Sequence, residues 1–436
     1  MSCPLQSMAT TSRGVRRRMA AALRRTAGAA LRIPGVRRAV LAAAGFPFDP
    51  FGSAFRKDPY RFYHGLRRRD PVYFARIGCW LISGYAEAAA TLRAPQCGHP
   101  DHRTALLENP QPTALDRQQC HMLLSNNPPD HTRMRRVVNS ILTPAVVEGV
   151  RPKVQELADR LLDRVAAARR MDVIGDFAYP LAVGTIANLL GVPEGHVDRL
   201  ADYGRRSSAT AIALVPSRSQ LDQGNAAVEW LGEYFHARLD ERRRAPRADL
   251  LSGLVEAHET GHLDVDEATA TGILLFTAGY ETTIGLIGNG MLALLRDADA
   301  LAQLREDTSL TQSAVEEFLR YDSPIPYVGR LAREDVRIGD KLIRRGQQIY
   351  VVIAAANRDP ARFPEPDRLD IARPDNRHLS FSGGIHACPG PQLSRMEAQI
   401  AIATLVRRFP GMALRAEGPI WADSQLHSLT SLPISF

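Results

Sequence analysis

The stretch 381–390, FSGGIHACPG, constrains this chain more than any other part of its sequence. It places Cys388 on a glycine-rich loop directly before a helical pattern. Glycines let a backbone approach a flat ligand closely, and a cysteine at a helix N-terminus is favoured as thiolate. The loop therefore offers one sulfur to a planar, metal-bearing ligand, with His386 as a cation or donor at its rim. The alternative is a buried structural cysteine, which glycines on both sides disfavour.

Cysteine usage and charge exclude several other classes of protein. Five cysteines without a CxxC pair argue against a disulfide framework and a zinc ribbon, and fit a reducing cytoplasm. The net charge of +8 originates in residues 1–48, which hold nine arginines and no acidic residue. The remaining chain is nearly neutral, so nucleic-acid binding is not expected. An apolar run of about 18 residues is absent, so no transmembrane helix is expected either.

The periodicity of the chain predicts a mainly α fold with a small β region, of the α+β class. Helical periodicity dominates 130–320 and returns at 397–409, whereas 71–84 is typical of a β-hairpin and 336–356 of short strands between glycine turns. We expect one domain over 46–436. Two alternatives stay open for the Arg- and Ala-rich extension 1–45: a disordered segment, or an amphipathic helix that contacts a membrane or an acidic partner.

A second chemical motif lies in LLFTAGYETT, 274–283, within a helix predicted from about Asp264 to Leu295. This helix is apolar nearly all round, which indicates a buried central helix. Glu281 and Thr282 are costly there without partners. Gly279 permits a ligand to approach closely, and Thr282 can donate to the carbonyl of Ala278 and open the helix locally. An acid and a hydroxyl beside such a gap can bind water and relay protons; the alternative is an ordinary polar turn.

The pattern Phe381-x-x-Gly384-x-His386-x-Cys388-x-Gly390 resembles the haem-binding signature of the cytochrome P-450 family. The resemblance implies the fold of that family and makes the Cys388 thiolate the proximal iron ligand. The motif Ala278-Gly279-x-Glu281-Thr282 is similar to the distal-helix motif of the family, in which the acid–alcohol pair serves oxygen activation. Further segments of this sequence resemble other motifs of the family, and they follow one another in the same order as in the family, along residues 46–436.

Glu317 and Arg320 are spaced to share one helix face and match the family's glutamate–arginine pair. Arg373 matches a third, basic member of that group. The resemblance implies that the three residues support the haem loop without taking part in chemistry. The same spacing recurs elsewhere, where surface ion pairs are the better interpretation, at Glu241/Arg244, Glu334/Arg337 and Glu365/Arg368.

Haem carries two propionates that need cationic or hydrogen-bonding partners. The segment NPPDHTRMRR, 127–136, starts a helix on which His131 and Arg135 are four residues apart and share a face. The family uses this segment for the propionates. Arg330 and His386 match further partners, so the resemblance implies four candidates.

The resemblance implies a monooxygenase that binds haem b and inserts one oxygen atom from O2 into an organic substrate. Electrons from NAD(P)H would come through a ferredoxin and its reductase, or a flavodoxin-type donor, because the sequence has no flavin or iron–sulfur signature. By analogy, apolar residues line a pocket for a mid-sized, mostly apolar natural product: Ile212, Leu214, Ile325, Val328 and Leu429. Two alternatives remain: a haem-thiolate sensor without turnover, which Glu281 and Thr282 disfavour, and a haem-free helical binding protein.

Overall fold

The structure, a computed structural model, describes residues 41, 43, 45–211 and 216–436. The expectation for the N-terminal extension falls almost wholly outside the described residues. The same holds for the pocket residues Ile212 and Leu214.

Helices dominate the described chain, as the periodicity predicts. Those before the central helix are α1 Ser53–Lys57, α2 Tyr60–Arg69, α3 Tyr85–Arg93, α4 His102–Leu107, α5 Ala114–His121, α6 Asp130–Ile141, α7 Pro144–Ala166, α8 Tyr179–Leu189, α9 Val197–Ala211, α10 Arg218–Arg244 and α11 Leu250–Glu259. The central helix and those after it are α12 Val265–Arg296, α13 Ala298–Glu306, α14 Thr311–Tyr321, α15 Ile353–Ala356 and α16 Pro391–Arg408.

The strands of the described residues are short and form four small sheets. They are β1 Val72–Ala75, β2 Cys79–Ile82, β3 Cys97–Gly98, β4 Arg170–Asp172, β5 Val328–Ala332, β6 Val336–Ile338, β7 Lys341–Ile343, β8 Gln348–Val351, β9 Ala413–Leu414, β10 Ile420–Trp421, β11 Leu429–Ser431 and β12 Pro433–Ser435. The largest sheet has the order β1-β2-β8-β5-β3, and the others are β4-β12-β9, β10-β11 and β6-β7.

Most of the predicted β region is confirmed. Strands β1 and β2 pair antiparallel as the expected hairpin, and β6, β7 and β8 lie within 336–351. The prediction is wrong at 353–356, which forms the short helix α15. Its sequence, Ile-Ala-Ala-Ala, has the residue of highest helix propensity at three positions, whereas alanine is depleted in strands.

Helix α12 is the centre of the fold, and its prediction is confirmed to within one residue at each end. Asp264 caps it, with Glu267 completing a reciprocal capping box. The helix packs against α8, α10, α11 and α16 in the largest hydrophobic core. By length and composition it would pass as a membrane span, but 67% of its most apolar window is buried inside the protein. Core packing therefore accounts for its apolar character.

Candidate active site

The Cys388 loop is a tight turn that rests against helix α3. Gly384 has a φ of +67°, and a Cβ built there would lie 2.3 Å from the carbonyl oxygen of Leu92. A side chain at this position would therefore both strain the backbone and clash. The backbone N–H of Cys388 donates to the carbonyl of Phe381 at 2.9 Å. These contacts fix the sulfur at the end of the turn.

The surroundings of the thiol differ from the sequence expectation. Helix α16 begins at Pro391 with Gly390 as its N-cap, so Cys388 lies two residues ahead of the cap. Burial raises the pKa of the thiol, and the Gly390 N–H, Arg135 and Arg395 oppose this only in part. The expectation that the helix terminus by itself favours thiolate is wrong, because desolvation is the larger effect. A bound metal cation would deprotonate the thiol outright.

Buried and half-buried imidazoles and guanidiniums converge beside the Cys388 loop. The His386 ring centroid lies 4.6 Å from that of His99 and 4.2 Å from that of His131. Among the described residues, neither ring nitrogen of His131 has a hydrogen-bond partner, and Nε2 of His386 has none either. Arg330 is 4% exposed and donates to the carbonyl of Gly329. Within the described chain, no carboxylate lies in ion-pairing range of Arg330 or of Arg135.

Electrostatics decide what this cluster can bind. Burial, together with neighbouring positive groups, lowers the pKa of His386 to about 2 and that of His131 to about 4. Both imidazoles are therefore neutral, and of the two roles expected of His386, cation or donor, its lowered pKa favours the donor. The cluster offers neutral N–H donors and the fixed charges of Arg135 and Arg330 without an anion to receive them. Buried donors of this kind need acceptors, and the propionates of haem fit that requirement.

Helix α6 carries His131 and Arg135 on the face directed at this site, as their spacing predicts. Arg135 donates to the carbonyls of Ala387 and Cys388, the second at 3.4 Å. It therefore also ties α6 to the cysteine loop. His99, which follows β3, was not predicted, because an isolated histidine outside any helical or strand pattern carries no local signal.

Helix α12 carries the predicted acid–alcohol pair. The Thr282 hydroxyl donates to the carbonyl of Ala278 at 3.3 Å, as expected. Ala278 is exposed and Thr282 half-buried, although they belong to the most buried helix of the fold. This exposed face therefore borders an open space within the core. Tyr280 points away from it, since its hydroxyl donates to the carbonyl of Ala201.

Glu281 lies one helix position from that face. Burial raises its pKa to about 7, and the Ser208 hydroxyl and Arg205, both on α9, lower it only partly. A carboxyl group that titrates near neutral pH can both take up and release protons. Arg205 and Ser208 were not predicted, because only the packing of α9 on α12 brings them to Glu281.

Gly279 makes a helix contact that the sequence did not suggest. A Cβ added there would lie 2.8 Å from Cγ1 of Ile186, on α8. The missing side chain therefore lets α12 pack closely on α8. Gly279 itself is half-buried, and that it also admits a ligand stays a prediction.

The Glu317–Arg320 pair is completely buried. Arg320 donates to both carboxylate oxygens of Glu317, at 2.8 and 2.7 Å, and Arg373 approaches the same carboxylate at 3.1 Å. Arg320 also donates to the carbonyls of Asn357 and Pro366. The three side chains thus join α14 to the irregular segment that leads to the cysteine loop. The sequence contains other glutamates three residues before an arginine. Of these, Glu365 and Arg368 form an exposed ion pair, as expected.

That Ile325, Val328 and Leu429 line a substrate pocket stays a prediction, and none of the three is among the residues that line the neighbouring cavity. Ile325 and Val328 are half-buried and Leu429 is buried. Next to them, a cavity of about 520 Å³ lies between the segment 46–55 and the loop 421–428. Phe48, Phe55 and Tyr327 are among the aromatic side chains that line it.

Comparison with known proteins connects this geometry to one family. The sequence model of cytochrome P450 matches residues 218–429. The chain is 41% identical to a biotin biosynthesis cytochrome P450 of Bacillus subtilis (strain 168) over 366 residues, 83% of this chain and 92% of the relative. It is 36% identical to the 6-deoxyerythronolide B hydroxylase of Saccharopolyspora erythraea over 402 residues, 88% of this chain and 98% of the relative.

Two crystal structures share the fold. One is P450BioI in complex with an acyl carrier protein ligated to hexadec-9Z-enoic acid, with a TM-score of 0.82, 38% identity and coverage of 88% of this chain and 100% of that chain. The other is CalO2, with a TM-score of 0.84, 32% identity and coverage of 89% and 98%. The predicted α+β fold is thereby confirmed.

Proposed function

The chain belongs to the cytochrome P450 family of oxygenases, which use haem b, O2 and reducing equivalents from redox partners, and from this premise we propose how its own residues divide the work. Residues 46–436 form one haem domain. Cys388 ligates the iron, while His131, Arg135, Arg330 and His386 hold the propionates. The observation that carries this assignment is the convergence, beside the glycine-rich cysteine loop, of imidazoles with unpartnered ring nitrogens and of two arginines without a carboxylate partner among the described residues.

The haem iron, when bound, supplies the centre at which O2 is activated. The thiolate of Cys388 would hold this iron and donate electron density to it. On the opposite side, Ala278 and Thr282 border the space for oxygen and substrate. The Thr282 hydroxyl holds water there, and Glu281 exchanges protons with it, since its pKa of about 7 permits both directions of transfer at neutral pH. Glu317, Arg320 and Arg373 support the cysteine loop from outside the reacting site.

The test is the carbon monoxide difference spectrum of the reduced protein. We expect a strongly red-shifted Soret band in the wild type and its loss in Cys388→Ala. Cys97→Ala is the matched control, since Cys97 is also a buried free cysteine but lies on β3. A wild-type protein that binds haem without the band, or a band that survives in Cys388→Ala, would contradict the assignment.

For the substrate, we propose a mid-sized, mostly apolar molecule. The support is the apolar character of Ile325, Val328 and Leu429 and the aromatic lining of the adjacent cavity. The relatives named above include a macrolide-related hydroxylase and a structure with a fatty-acyl carrier protein. Titration with fatty acids, macrolactones and polar analogues tests the proposal: apolar ligands are expected to shift the Soret band, and a preference for the polar analogues would refute it.

For the electron source, we propose a ferredoxin with its reductase, or a flavodoxin-type donor. The alternative of a haem-thiolate sensor is disfavoured by the proton-exchanging groups on α12. Reconstitution with surrogate redox partners decides between them. NAD(P)H-dependent product formation is expected of a monooxygenase, whereas ligand binding without product would favour the sensor.

A further inference from the structure

The cavity beside the proposed substrate pocket has basic but no acidic side chains in its wall. It encloses about 520 Å³ between α1, the strands β2 and β8 and the loop 421–428, a volume in the range of small-molecule sites. Among the described residues, two basic side chains line it, Arg56 and His427, and no aspartate or glutamate does. A ligand that enters the cavity therefore meets positive charge without negative charge.

His427 is already neutralised by a neighbour outside the cavity. Its Nε2 lies 3.0 Å from Oδ1 of Asp322, and the two side chains are 9% and 14% exposed. Burial by itself would raise the pKa of Asp322, but His427 and Arg358 hold it below its usual range. Asp322 thus stays ionised beside His427. A ligand that took His427 from it would leave a nearly buried carboxylate without its partner, which is costly.

Arg56, in contrast, can change its partner. Its guanidinium donates to the carboxylate of Asp423 and thereby joins α1 to the loop 421–428 at the edge of the cavity. The Asp423 side chain is 90% exposed, so water can solvate it when Arg56 leaves. Because exposed ion pairs contribute only about 0–1 kcal/mol, a ligand carboxylate can take the place of Asp423 on Arg56.

The rest of the cavity fits an apolar chain that extends towards α12. Phe48 and Phe55 belong to its wall and stack with ring centroids 5.1 Å apart. Ser428 also lines the cavity, and a Cβ built on Gly285 of α12 would lie 3.4 Å from Cβ of Ser428. Gly285 comes one helix turn after Thr282 and shares its face. The cavity therefore reaches the helix that bears the proposed reaction site.

We propose that this enzyme takes apolar substrates that carry a carboxylate, and that Arg56 is the residue that selects for this group. The carboxylate binds the guanidinium in place of Asp423, through the paired hydrogen bonds that arginine offers to such an anion. The apolar chain lies against the aromatic wall and points towards α12. The inference narrows the substrate class proposed above and rests on the proposed function, because it assumes that oxidation takes place beside Thr282.

The test is the binding of three probes with one chain length to the holoprotein: dodecanoate, dodecanol and dodecylamine. Titration calorimetry below their micelle concentrations measures the affinities. We expect wild type to bind dodecanoate roughly ten-fold more tightly than dodecanol, which corresponds to about 1.4 kcal/mol, and to bind the cationic amine most weakly. Arg56→Gln is expected to remove the preference for the acid, whereas Arg56→Lys, which keeps the charge, should retain part of it.

Lys57→Gln is the matched control. It removes the same charge at the next position, which is exposed and does not line the cavity, so its affinities should equal those of wild type. Equal affinities of wild type for dodecanoate and dodecanol would overturn the proposal. A preference for the acid that survives in Arg56→Gln would also overturn it.

A spectroscopic measurement connects the bound acid to the reaction site. Dodecanoate is expected to shift the Soret band of wild type, and binding through Arg56 without this shift would refute its role as a substrate. Calorimetry requires neither electrons nor turnover. Loss of the thiolate carbon monoxide band would therefore remove the proposed function and leave the result for Arg56 standing.

Discussion

Arg320 and Glu317 face each other in a two-point ion pair with no solvent exposure on either side chain. Replacing one member of a buried pair leaves the other charge uncompensated, at a cost of about 3–5 kcal/mol. In Arg320→Ala, Arg373 still reaches Glu317, so we expect a loss of unfolding free energy near the lower end of that range. Urea unfolding of the holoprotein measures it, together with the haem retained after purification.

The matched control is Arg368→Ala, which removes the exposed ion pair of the same spacing with Glu365. Exposed pairs contribute about 0–1 kcal/mol, so this variant should unfold almost like wild type. Equal losses in the two variants would mean that burial does not distinguish the pairs.

A second prediction concerns the tightest point of the cysteine loop. Gly384→Ala forces an L side chain into a positive φ and against the carbonyl of Leu92. We expect the loop to shift and the variant to lose haem, because Cys388 follows four residues later. Haem content per protein, from the Soret absorbance against total protein, measures this. Gly232→Ala, on α10 with nothing within 4 Å of the added Cβ, should keep full haem and gain up to about 1 kcal/mol in helix stability.

The features that sequence reasoning predicted correctly are local. The glycine-rich cysteine loop and the extent of α12 each depend on residues that are close in sequence, so their pattern is visible in one stretch. The close contact of Gly279 with Ile186 could not be predicted, since only packing brings α8 to this position of α12. His99 went unnoticed for the same reason: its importance comes from residues on other elements, which no periodicity reports.

A third prediction tests Arg330 as a propionate partner. Arg330→Leu keeps an apolar stem in the buried site but removes its charge. A hydrogen bond to a charged group contributes about 1.5–3 kcal/mol, so we expect haem to dissociate roughly 10- to 100-fold faster, at about 1.4 kcal/mol per factor of ten. Transfer of haem to apomyoglobin measures the rate. Arg333→Leu, at an exposed position of the same segment, should leave it unchanged, and an unaltered rate in Arg330→Leu would remove this residue from the haem site.

The fourth prediction uses the titration of Glu281. Glu281→Gln preserves shape but cannot exchange protons, and positioned acid–base groups typically contribute about 10²- to 10⁴-fold in rate. We expect the rate of product formation to fall by up to this factor, while the rate of NAD(P)H consumption falls less. The reducing equivalents that do not reach the product should appear as peroxide or water. The matched control is Asp202→Asn, which lies on α9 near Arg205 but bears its charge at a half-exposed position, and it should stay close to wild type.

The pH dependence of the unfolding free energy tests the titration of Glu281 without measuring turnover. The pKa of Glu281 is raised from 4.5 to about 7, so the unfolded chain releases this proton at lower pH than the folded protein does. The group therefore lowers the unfolding free energy progressively as the pH rises from about 4.5 to about 7, and the penalty is constant above that. Glu281→Gln should remove this part of the pH dependence. Its unfolding free energy, relative to that of wild type, should therefore increase towards neutral pH. A stability difference between the two proteins that does not change between acidic and neutral pH would show that Glu281 titrates as an ordinary surface carboxylate.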